Sequence, residues 1–280
     1  MSKLPNPIGI MQGRLSPPRG KMIQWFPFDT WKLEFDLARE AGIDCIEWIY
    51  EVPNEDKNPV KSDEGISHIQ KKIKETGVQV ISICADYYMK ILLIQENGDI
   101  NKDAVEHLRW LIGRAKMLKI KYIVLPFVDA SSLKTKKQQA SLLNVLNAVL
   151  NDTEKAEIEI HLETDLEPYA MKHIFEKIKH PLVKFNYDTG NAAALGHNPS
   201  KELVILKEWI GSVHIKDRIF NGKTVPLGQG SVDFTTCFKL IKAAKYTRPF
   251  ILQAARDDSI DTMAYAKNNK KFVLKYCNYN

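Results

Sequence analysis

The segment AEIEIHLETDLEPYAMKHIFEKIKHPLVKFNYD (residues 156–188) contains the structural unit from which the rest of the fold can be inferred. It begins with an apolar run at 156–163, continues with an amphipathic stretch at 167–180 and ends with a second apolar run at 182–188. Short apolar runs predict buried strands, and apolar residues spaced three and four apart predict a helix. The segment therefore predicts a strand–helix–strand unit in which each strand ends on a carboxylate.

The same alternation of apolar runs and amphipathic stretches continues through the whole chain. Strands are predicted at 8–11, 44–50, 78–85, 120–126, 156–163, 182–188, 212–217 and 248–253. Helices are predicted at 30–42, 62–77, 101–119, 135–152, 167–180, 200–211, 233–245 and 259–277. Alternating strands and helices indicate a parallel sheet, and eight such units in 280 residues indicate a closed barrel. We therefore predict an α/β fold, a (β/α)8 TIM barrel that forms a single domain over residues 1–280.

The longest irregular stretches follow predicted strands rather than helices. They lie at 11–29, 51–61, 86–100 and 218–232. In a TIM barrel, the loops that follow the strands form the face that carries the active site. The asymmetry supports the barrel and predicts which end of it holds a site.

Composition and charge argue against several classes of protein. Hydrophobic residues make up 44% and charged residues 26% of the chain, which is typical of a globular protein. The formal net charge is +6, but no arginine-rich arm or aromatic-interleaved basic stripe predicts nucleic-acid binding. No apolar stretch approaches the roughly 18 residues of a membrane span. The N-terminus has no long apolar signal region, so we expect a cytoplasmic protein without a membrane partner.

Four polar residues stand at or near the C-terminal ends of predicted strands, namely Glu163, Asp188, His214 and Gln253. The ends of parallel strands meet at one rim of a barrel, so these side chains are expected to converge. Two carboxylates, an imidazole and an amide oxygen suit one divalent metal ion, with Mn²⁺, Mg²⁺ or Co²⁺ favoured and Zn²⁺ also compatible. The alternative is that they are ordinary polar residues at strand ends.

Five motifs resemble the xylose-isomerase-like superfamily of TIM barrels. They are MQGRL (11–15), HLETD (161–165), YDTGNAAALG (187–196), SVHIKDR (212–218) and VPLGQGSVDF (225–234). The resemblance extends from residue 8 to about residue 275. This superfamily includes isomerases and epimerases of sugars and sugar phosphates, inosose dehydratase and endonuclease IV. The resemblance therefore implies the barrel, but no particular substrate.

The resemblance implies that Glu163, Asp188 and His214 are metal ligands and that Gln253 occupies the fourth ligand position. In the epimerase branch the fourth residue is a glutamate, and the two glutamates exchange protons with opposite faces of the substrate carbon. Gln253 has no proton that titrates in a useful range, which leaves Glu163 as the available base. One base is sufficient to move a proton between C1 and C2 of a sugar through an enediolate. A metal that binds both substrate oxygens would stabilise that enediolate.

Lys216 is the second predicted catalytic residue. It lies two positions after His214, so the two side chains point the same way along a strand. Its ammonium group suits an enediolate or a phosphate. Further candidates for substrate contact lie on or after the predicted strands. They are Arg14, Glu47, His161, Asp217, Arg218, Gln229 and Arg256.

Three of these candidates have a structural alternative. Arg14 could be a surface residue of a mobile loop, and Glu47 could form a salt bridge that faces a helix. His161 lies two residues before Glu163, on the same face of the strand but deeper. It could orient Glu163 or be a hydrogen-bonded histidine of the core.

The favoured hypothesis is a metal-dependent isomerase or epimerase of a small sugar or sugar phosphate, with Glu163 as the base. A dehydratase of the inosose-dehydratase type would use the same metal and base. An enzyme like endonuclease IV would need several zinc ions, and four of the seven histidines fall in or beside predicted helices. A barrel without catalysis is the fourth alternative, and the sequence leaves open whether the chain forms a homo-oligomer.

Overall fold

The computed structural model of the chain describes residues 6–20, 22–257 and 259–277, and in it eight parallel strands close into a barrel. The strands in chain order are β1 (Ile8–Met11), β2 (Cys45–Ile49), β3 (Gln79–Cys84), β4 (Tyr122–Phe127), β5 (Glu159–Thr164), β6 (Val183–Asp188), β7 (Ile210–Ile215), β8 (Asp217–Arg218), β9 (Thr224–Val225) and β10 (Phe250–Leu252). The barrel runs from β1 to β7 in sequence order and closes through β10 onto β1. The predicted TIM barrel is therefore confirmed.

Helices alternate with the barrel strands. They are α1 (Trp31–Ala41), α2 (Asp63–Thr76), α3 (Lys102–Met117), α4 (Lys136–Ala156), α5 (Pro168–Ile178), α6 (Thr189–Ala194), α7 (Pro199–Leu206), α8 (Phe234–Ala243) and α9 (Thr262–Cys277). Short 3-10 helices lie in loops at Glu55–Lys57, Pro59–Lys61, Asp86–Met89 and Asp129–Ser131. None of the helices described is long and apolar enough to cross a membrane.

The ends of α2 show why the sequence signals located helices well. Ser62 Oγ accepts a hydrogen bond from the Gly65 N–H at 3.0 Å, which satisfies one of the free donors of the first turn. Gly77 ends the helix with φ of 76°, in the left-handed region that favours glycine. Both residues are the ones at which the sequence predicted the helix to begin and end.

Two helices end well away from their predicted last residues. α4 continues to Ala156 rather than 152, since no helix breaker follows Asp152, and it ends at Glu157 with φ of 57°. The helix predicted at 200–211 ends at Leu206, and β7 begins at Ile210.

A short helix and a hairpin near the rim were not predicted. α6 follows β6 directly, and its six residues are too few to show a helical period. Asp188 begins it by accepting the Asn191 N–H at 2.8 Å. β8 and β9 form an antiparallel hairpin in a stretch predicted to be irregular apart from Asp217.

The inward-facing side of β5, β6 and β7 is polar. His161, Asn186 and Ser212 are almost fully buried. Ser212 Oγ donates to Asn186 Oδ1 at 2.5 Å and lies 2.8 Å from His161 Nδ1. Hydrogen bonding compensates the cost of burying these groups, and the polar interior continues upward to Glu163 and His214.

Candidate metal centre

Three of the four strand-end residues come together at the C-terminal rim of the barrel. Glu163 lies on β5, Asp188 ends β6 and His214 lies on β7. One ligand atom from each lies within 4.8 Å of the others, and all three residues are buried. These separations are short enough for one cation to contact all three side chains.

Strand register explains why these residues meet. Asp188 pairs with His214 across β6 and β7, and His214 pairs with Ile251 across β7 and β10. Gln253 lies two residues beyond Ile251, and its N–H continues the ladder by donating to the Ile215 carbonyl at 2.9 Å. Because side chains alternate along a strand, Gln253 points to the same interior face as His214.

The amide of Gln253 has one satisfied end and one unsatisfied end. Its Nε2 donates to Gln24 Oε1 at 2.9 Å. Its Oε1 is buried and has no hydrogen-bond partner among the residues that the structure describes. An unsatisfied buried acceptor costs about 1–3 kcal/mol, and a cation would remove that cost. Two carboxylates, an imidazole and this amide oxygen therefore fit a divalent metal ion.

Two asparagines hold the Glu163 carboxylate. Asn186 Nδ2 donates to Oε2 at 3.0 Å, and Asn191 Nδ2 donates to Oε1 at 2.7 Å. Asn191 is itself held by Arg218, whose Nη1 donates to Asn191 Oδ1 at 3.0 Å. Arg218, predicted to contact substrate, therefore reaches the centre through Asn191.

Carboxylates surround the imidazole of His214. Its Nδ1 lies 3.4 Å from Glu163 Oε2 and 4.0 Å from Asp188 Oδ2, and its Nε2 lies 2.7 Å from Glu47 Oε1. Burial favours the neutral ring, but the charges of Glu47 and Glu163 outweigh it and raise the pKa of His214 well above its usual value. Three carboxylates beside one imidazole give the centre a negative charge that a divalent cation would compensate.

Glu47 lies inside the barrel, next to the His214 ring. It belongs to β2, is fully buried, and accepts a hydrogen bond from Ser82 Oγ at 2.7 Å. A register shift between Ile46 and Glu47 interrupts the pairing of β2 with β3 at this point. This position does not fit a salt bridge that faces a helix, while contact with substrate stays a prediction.

Lys216 lies beside Asp188 at the rim. Its Nζ is 3.5 Å from Asp188 Oδ2. The Lys216 side chain passes Gly190, where an added Cβ would lie 2.8 Å from Lys216 Cγ. The glycine of the DTGN motif therefore leaves the space that Lys216 needs next to Asp188.

Asp217 supports a loop. It is buried, and its carboxylate accepts the N–H groups of Gly228 and Gly230 at 2.9 Å and of Val232 at 3.2 Å. Gln229, between the two glycines, is exposed. The structure therefore does not bring Asp217 and Gln229 into the ligand group, although both were predicted to contact substrate.

Arg14 and Arg256 line a cavity of about 340 Å³ beside α9. Arg14 Nε donates to the Ala254 carbonyl at 2.9 Å, and Arg256 Nη1 donates to the Ser16 carbonyl at 3.0 Å. Arg256 also lies over the Trp25 ring, 3.9 Å from its centroid. Burial and the charge of Arg256 lower the pKa of Arg14 to about 10. Both arginines brace the loops after β1 and β10.

His161 lies deeper in the barrel and is held on both sides. Its Nδ1 is 2.8 Å from Ser212 Oγ, and its Nε2 is 2.8 Å from Glu159 Oε2. Its ring stacks on Tyr122 with centroids 4.1 Å apart. Burial lowers the pKa of His161 to about 4. This placement agrees with the core-histidine alternative and leaves neither ring nitrogen for a substrate.

The sequence did not single out three residues whose side chains contact the side chains of Glu163, His214 or Gln253, namely Gln24, Asn186 and Asn191. Asn186 had a signal, because it lies two residues before Asp188 and faces the same side of β6. Asn191 belongs to the DTGN motif. Gln24 comes from a loop without regular spacing, where sequence gives no comparable signal.

Other histidines do not enlarge the ligand group. Within the described part of the chain, no further group of three acidic, histidine or cysteine ligands comes as close together. His107 contacts the Tyr88 hydroxyl at 3.0 Å, and His180 contacts Glu154 at 3.0 Å. The geometry gives no support to a multi-zinc centre of the endonuclease IV kind.

Comparisons with known proteins agree with the barrel fold. The family model described as xylose isomerase-like TIM barrel matches residues 35–275. The L-ribulose-5-phosphate 3-epimerase UlaE of Salmonella heidelberg (strain SL476) is 25% identical over 259 residues, which cover 88% of this chain and 86% of that protein. UlaE of Shigella flexneri is 25% identical over 285 residues, covering 98% and 93%.

Solved structures share the fold at lower identity. The crystal structure of the IOLI protein with a binding zinc atom has a TM-score of 0.75 at 16% identity, covering 97% of this chain and 98% of that one. The D-allulose 3-epimerase from Methylomonas sp. has a TM-score of 0.74 at 16% identity, covering 96% and 97%. At such identities the likeness establishes the barrel and nothing finer.

Proposed function

The chain belongs to the xylose isomerase-like TIM barrel family, and from that premise we propose that it is a divalent-metal-dependent isomerase or epimerase of a small sugar or sugar phosphate. The names of its relatives support sugar epimerase or isomerase chemistry, since the matched proteins include L-ribulose-5-phosphate 3-epimerases. The metal, the base and the class of substrate are parts of the proposal.

The observation that carries the proposal is the convergence of Glu163, Asp188 and His214 within 4.8 Å, next to a strand that presents Gln253. The oxygen-rich donor set favours Mn²⁺, Mg²⁺ or Co²⁺, and Zn²⁺ is compatible. When bound, such an ion would polarise a substrate carbonyl and stabilise negative charge on the neighbouring oxygens.

Glu163 is the proposed base. Its two oxygens are oriented by Asn186 and Asn191, so the carboxylate has a fixed direction in which to take a proton from the carbon next to the carbonyl. Lys216, at 3.5 Å from Asp188, is the proposed partner of the enediolate or of a phosphate. Both residues lie at the rim where a substrate would enter from the loops.

Gln253 favours reactions that need one base. A glutamine does not exchange a proton at neutral pH, so it cannot return a proton to the opposite face of the same carbon. Moving the proton between C1 and C2 on one face needs Glu163 alone. The geometry thus favours aldose–ketose isomerisation over a two-base epimerisation through this pair.

Deuterium exchange tests the proposal directly. The Mn²⁺-loaded protein is incubated in D₂O with ketoses and aldoses, including L-ribulose and L-ribulose 5-phosphate, and the label is located by NMR. We expect deuterium at C1 or C2, loss of exchange in E163Q and loss of exchange after chelation with EDTA. Exchange at C3 would identify an epimerase. Absence of exchange at every carbon next to a carbonyl would reject the proposal.

The same base would also begin a dehydration, the alternative that shares most of the machinery. Loss of water next to a carbonyl gives a conjugated enone with an ultraviolet absorption band. Appearance of that band with any substrate of the panel would replace isomerase by dehydratase as the function.

A further inference from the structure

The side-chain amide of Gln253 is the last group in a hydrogen-bonded series of polar side chains. Gln24 Nε2 donates to Asp86 Oδ2 at 2.7 Å, and Gln253 Nε2 donates to Gln24 Oε1 at 2.9 Å. Arg14 Nη2 also donates to Gln24 Oε1, at 3.4 Å. The other oxygen of Asp86 accepts from Cys84 Sγ at 3.2 Å.

Asp86 determines the direction of this hydrogen-bonded series, and the weaker contact from Arg14 to Gln24 Oε1 supports the same direction. An amide has one donor end and one acceptor end, so fixing one end fixes the other. Both oxygens of Asp86 accept hydrogen bonds, so Gln24 turns its Nε2 to Asp86 and its Oε1 to Gln253. Gln253 must then turn its Nε2 to Gln24, which leaves its Oε1 without a partner among the described residues.

We propose that Asp86 and Gln24 form a polarity relay that presents the Oε1 of Gln253, and not its Nε2, to the metal centre. The inference rests on the proposed function, because it gives the amide oxygen a metal to bind. An inverted amide would direct N–H groups at a cation and repel it. Asp86 and Gln24 are therefore positioning residues, which act through Gln253.

The relay also disfavours a carboxylate at position 253. A glutamate there would place an oxygen about where Nε2 now lies, 2.9 Å from Gln24 Oε1, and two acceptors would face each other. Gln24 could invert to donate to it, but its Oε1 would then face the Asp86 oxygen at 2.7 Å. The relay therefore keeps the fourth ligand neutral and Glu163 as the only base of the pair.

A set of variants distinguishes the effect of hydrogen-bond direction at Gln24 from the effect of removing the Asp86 charge. Q253E places two hydrogen-bond acceptors opposite each other. D86N removes this conflict, because the amide at position 86 can donate to the Oε1 of an inverted Gln24. D86L removes the same charge at similar volume but has no donor. The comparison therefore uses Q253E, D86N, D86N/Q253E and D86L/Q253E, with D99N/Q253E as control because Asp99 is an exposed partner of Lys137.

Thermal unfolding of the metal-free proteins tests the relay. We expect Q253E to lower Tm and D86N to recover at least about 2 °C of that loss, the size expected for a coupled polar pair in a protein of this length. D86L/Q253E and D99N/Q253E should show no such recovery. Equal recovery by D86N and D86L would show that charge alone is responsible and would overturn the relay.

Mn²⁺ titration tests the ligand role and keeps the two proposals apart. D86N/Q253E should bind Mn²⁺ at least tenfold more tightly than Q253E, and D86L/Q253E should not. If the unmodified protein binds Mn²⁺ but the effects of the substitutions at positions 86 and 253 on Tm and on Mn²⁺ affinity are additive, only the relay is wrong. If the thermal coupling is present but the unmodified protein binds no divalent ion, the proposed function fails and the ligand role of Gln253 fails with it.

Discussion

The Glu47 carboxylate lies 2.7 Å from Nε2 of His214, while Nδ1 of the same ring faces Glu163 and Asp188. A carboxylate behind a metal-ligating histidine fixes the orientation of its ring and makes it a stronger ligand. Glu47 is fully buried and is held in turn by Ser82. We therefore interpret Glu47 as the residue that orients His214.

Replacing Glu47 should weaken metal binding without removing a ligand. We expect E47Q to lower Mn²⁺ affinity by about 10- to 100-fold, the usual effect of losing such a supporting carboxylate. Isothermal titration with Mn²⁺ measures the change, and circular dichroism shows whether the fold is kept. A correctly folded E47Q protein with unchanged affinity would contradict this role.

Asn191 should affect catalysis more than substrate binding. It donates to Glu163 Oε1 at 2.7 Å and is held by Arg218, so N191A frees the base to rotate. We expect kcat for deuterium exchange to fall by about 10- to 100-fold with KM changed less than threefold, because misplacing a base lowers its efficiency in the transition state. A loss confined to KM would instead make Asn191 a substrate contact.

The barrel and the convergence of Glu163, Asp188 and His214 could be predicted because both depend on repeating local patterns. A strand that carries Glu163, Asp188 or His214 at or next to its C-terminal end brings that side chain to the rim whenever neighbouring strands are parallel. The period-two alternation of a strand then determines which side chains face inward. Only the order of strands and helices has to be right for these residues to meet.

The contacts around the triad depend on the paths of loops and on packing between distant strands. Gln24 reaches Gln253 across 229 positions of sequence, from a loop with no regular period. Glu47 meets His214 across the barrel, a contact that no local pattern contains. Only the structure shows that Ser212 contacts His161 Nδ1 deeper in the barrel.

The ion pair between Arg248 and Glu159 should make stability depend on pH. Burial raises the pKa of Glu159, but hydrogen bonds from Arg248 and His161 outweigh it and lower the pKa to about 2. A lowered carboxyl pKa stabilises the fold above the ordinary value near 4.5, and this stabilisation is lost as pH falls toward 2. We expect R248M to reduce the free energy of unfolding at pH 7 by about 1 kcal/mol, a modest value because the pair is partly exposed.

Urea unfolding at pH 7, 4 and 3 measures that difference. The difference in the free energy of unfolding between the unmodified protein and R248M should be largest at pH 7 and should become smaller as pH falls below 4.5. K137M removes the partner of exposed Asp99, where solvent screens the charges, and should leave stability nearly unchanged at each pH. A gap that stays constant from pH 7 to 3 would show that Arg248 acts by packing and not by its charge.

Gly190 and Gly113 should respond in opposite directions to an added methyl group. At Gly190 a Cβ would lie 2.8 Å from Lys216 Cγ and 3.1 Å from the Lys216 carbonyl carbon, and that backbone is held by Thr189 Oγ1 at 3.0 Å from its N–H. G190A should therefore cost about 1–3 kcal/mol through overpacking and should displace Lys216 from the rim, lowering exchange activity.

At Gly113, on an exposed face of α3, a Cβ would meet nothing within 4 Å. G113A should stabilise the protein by about 0.5–1 kcal/mol, because alanine loses less backbone entropy in a helix, and should leave exchange unchanged. Thermal unfolding and the exchange assay on both variants decide the matter, and an active, fully stable G190A would show that Lys216 does not depend on the space beside this glycine.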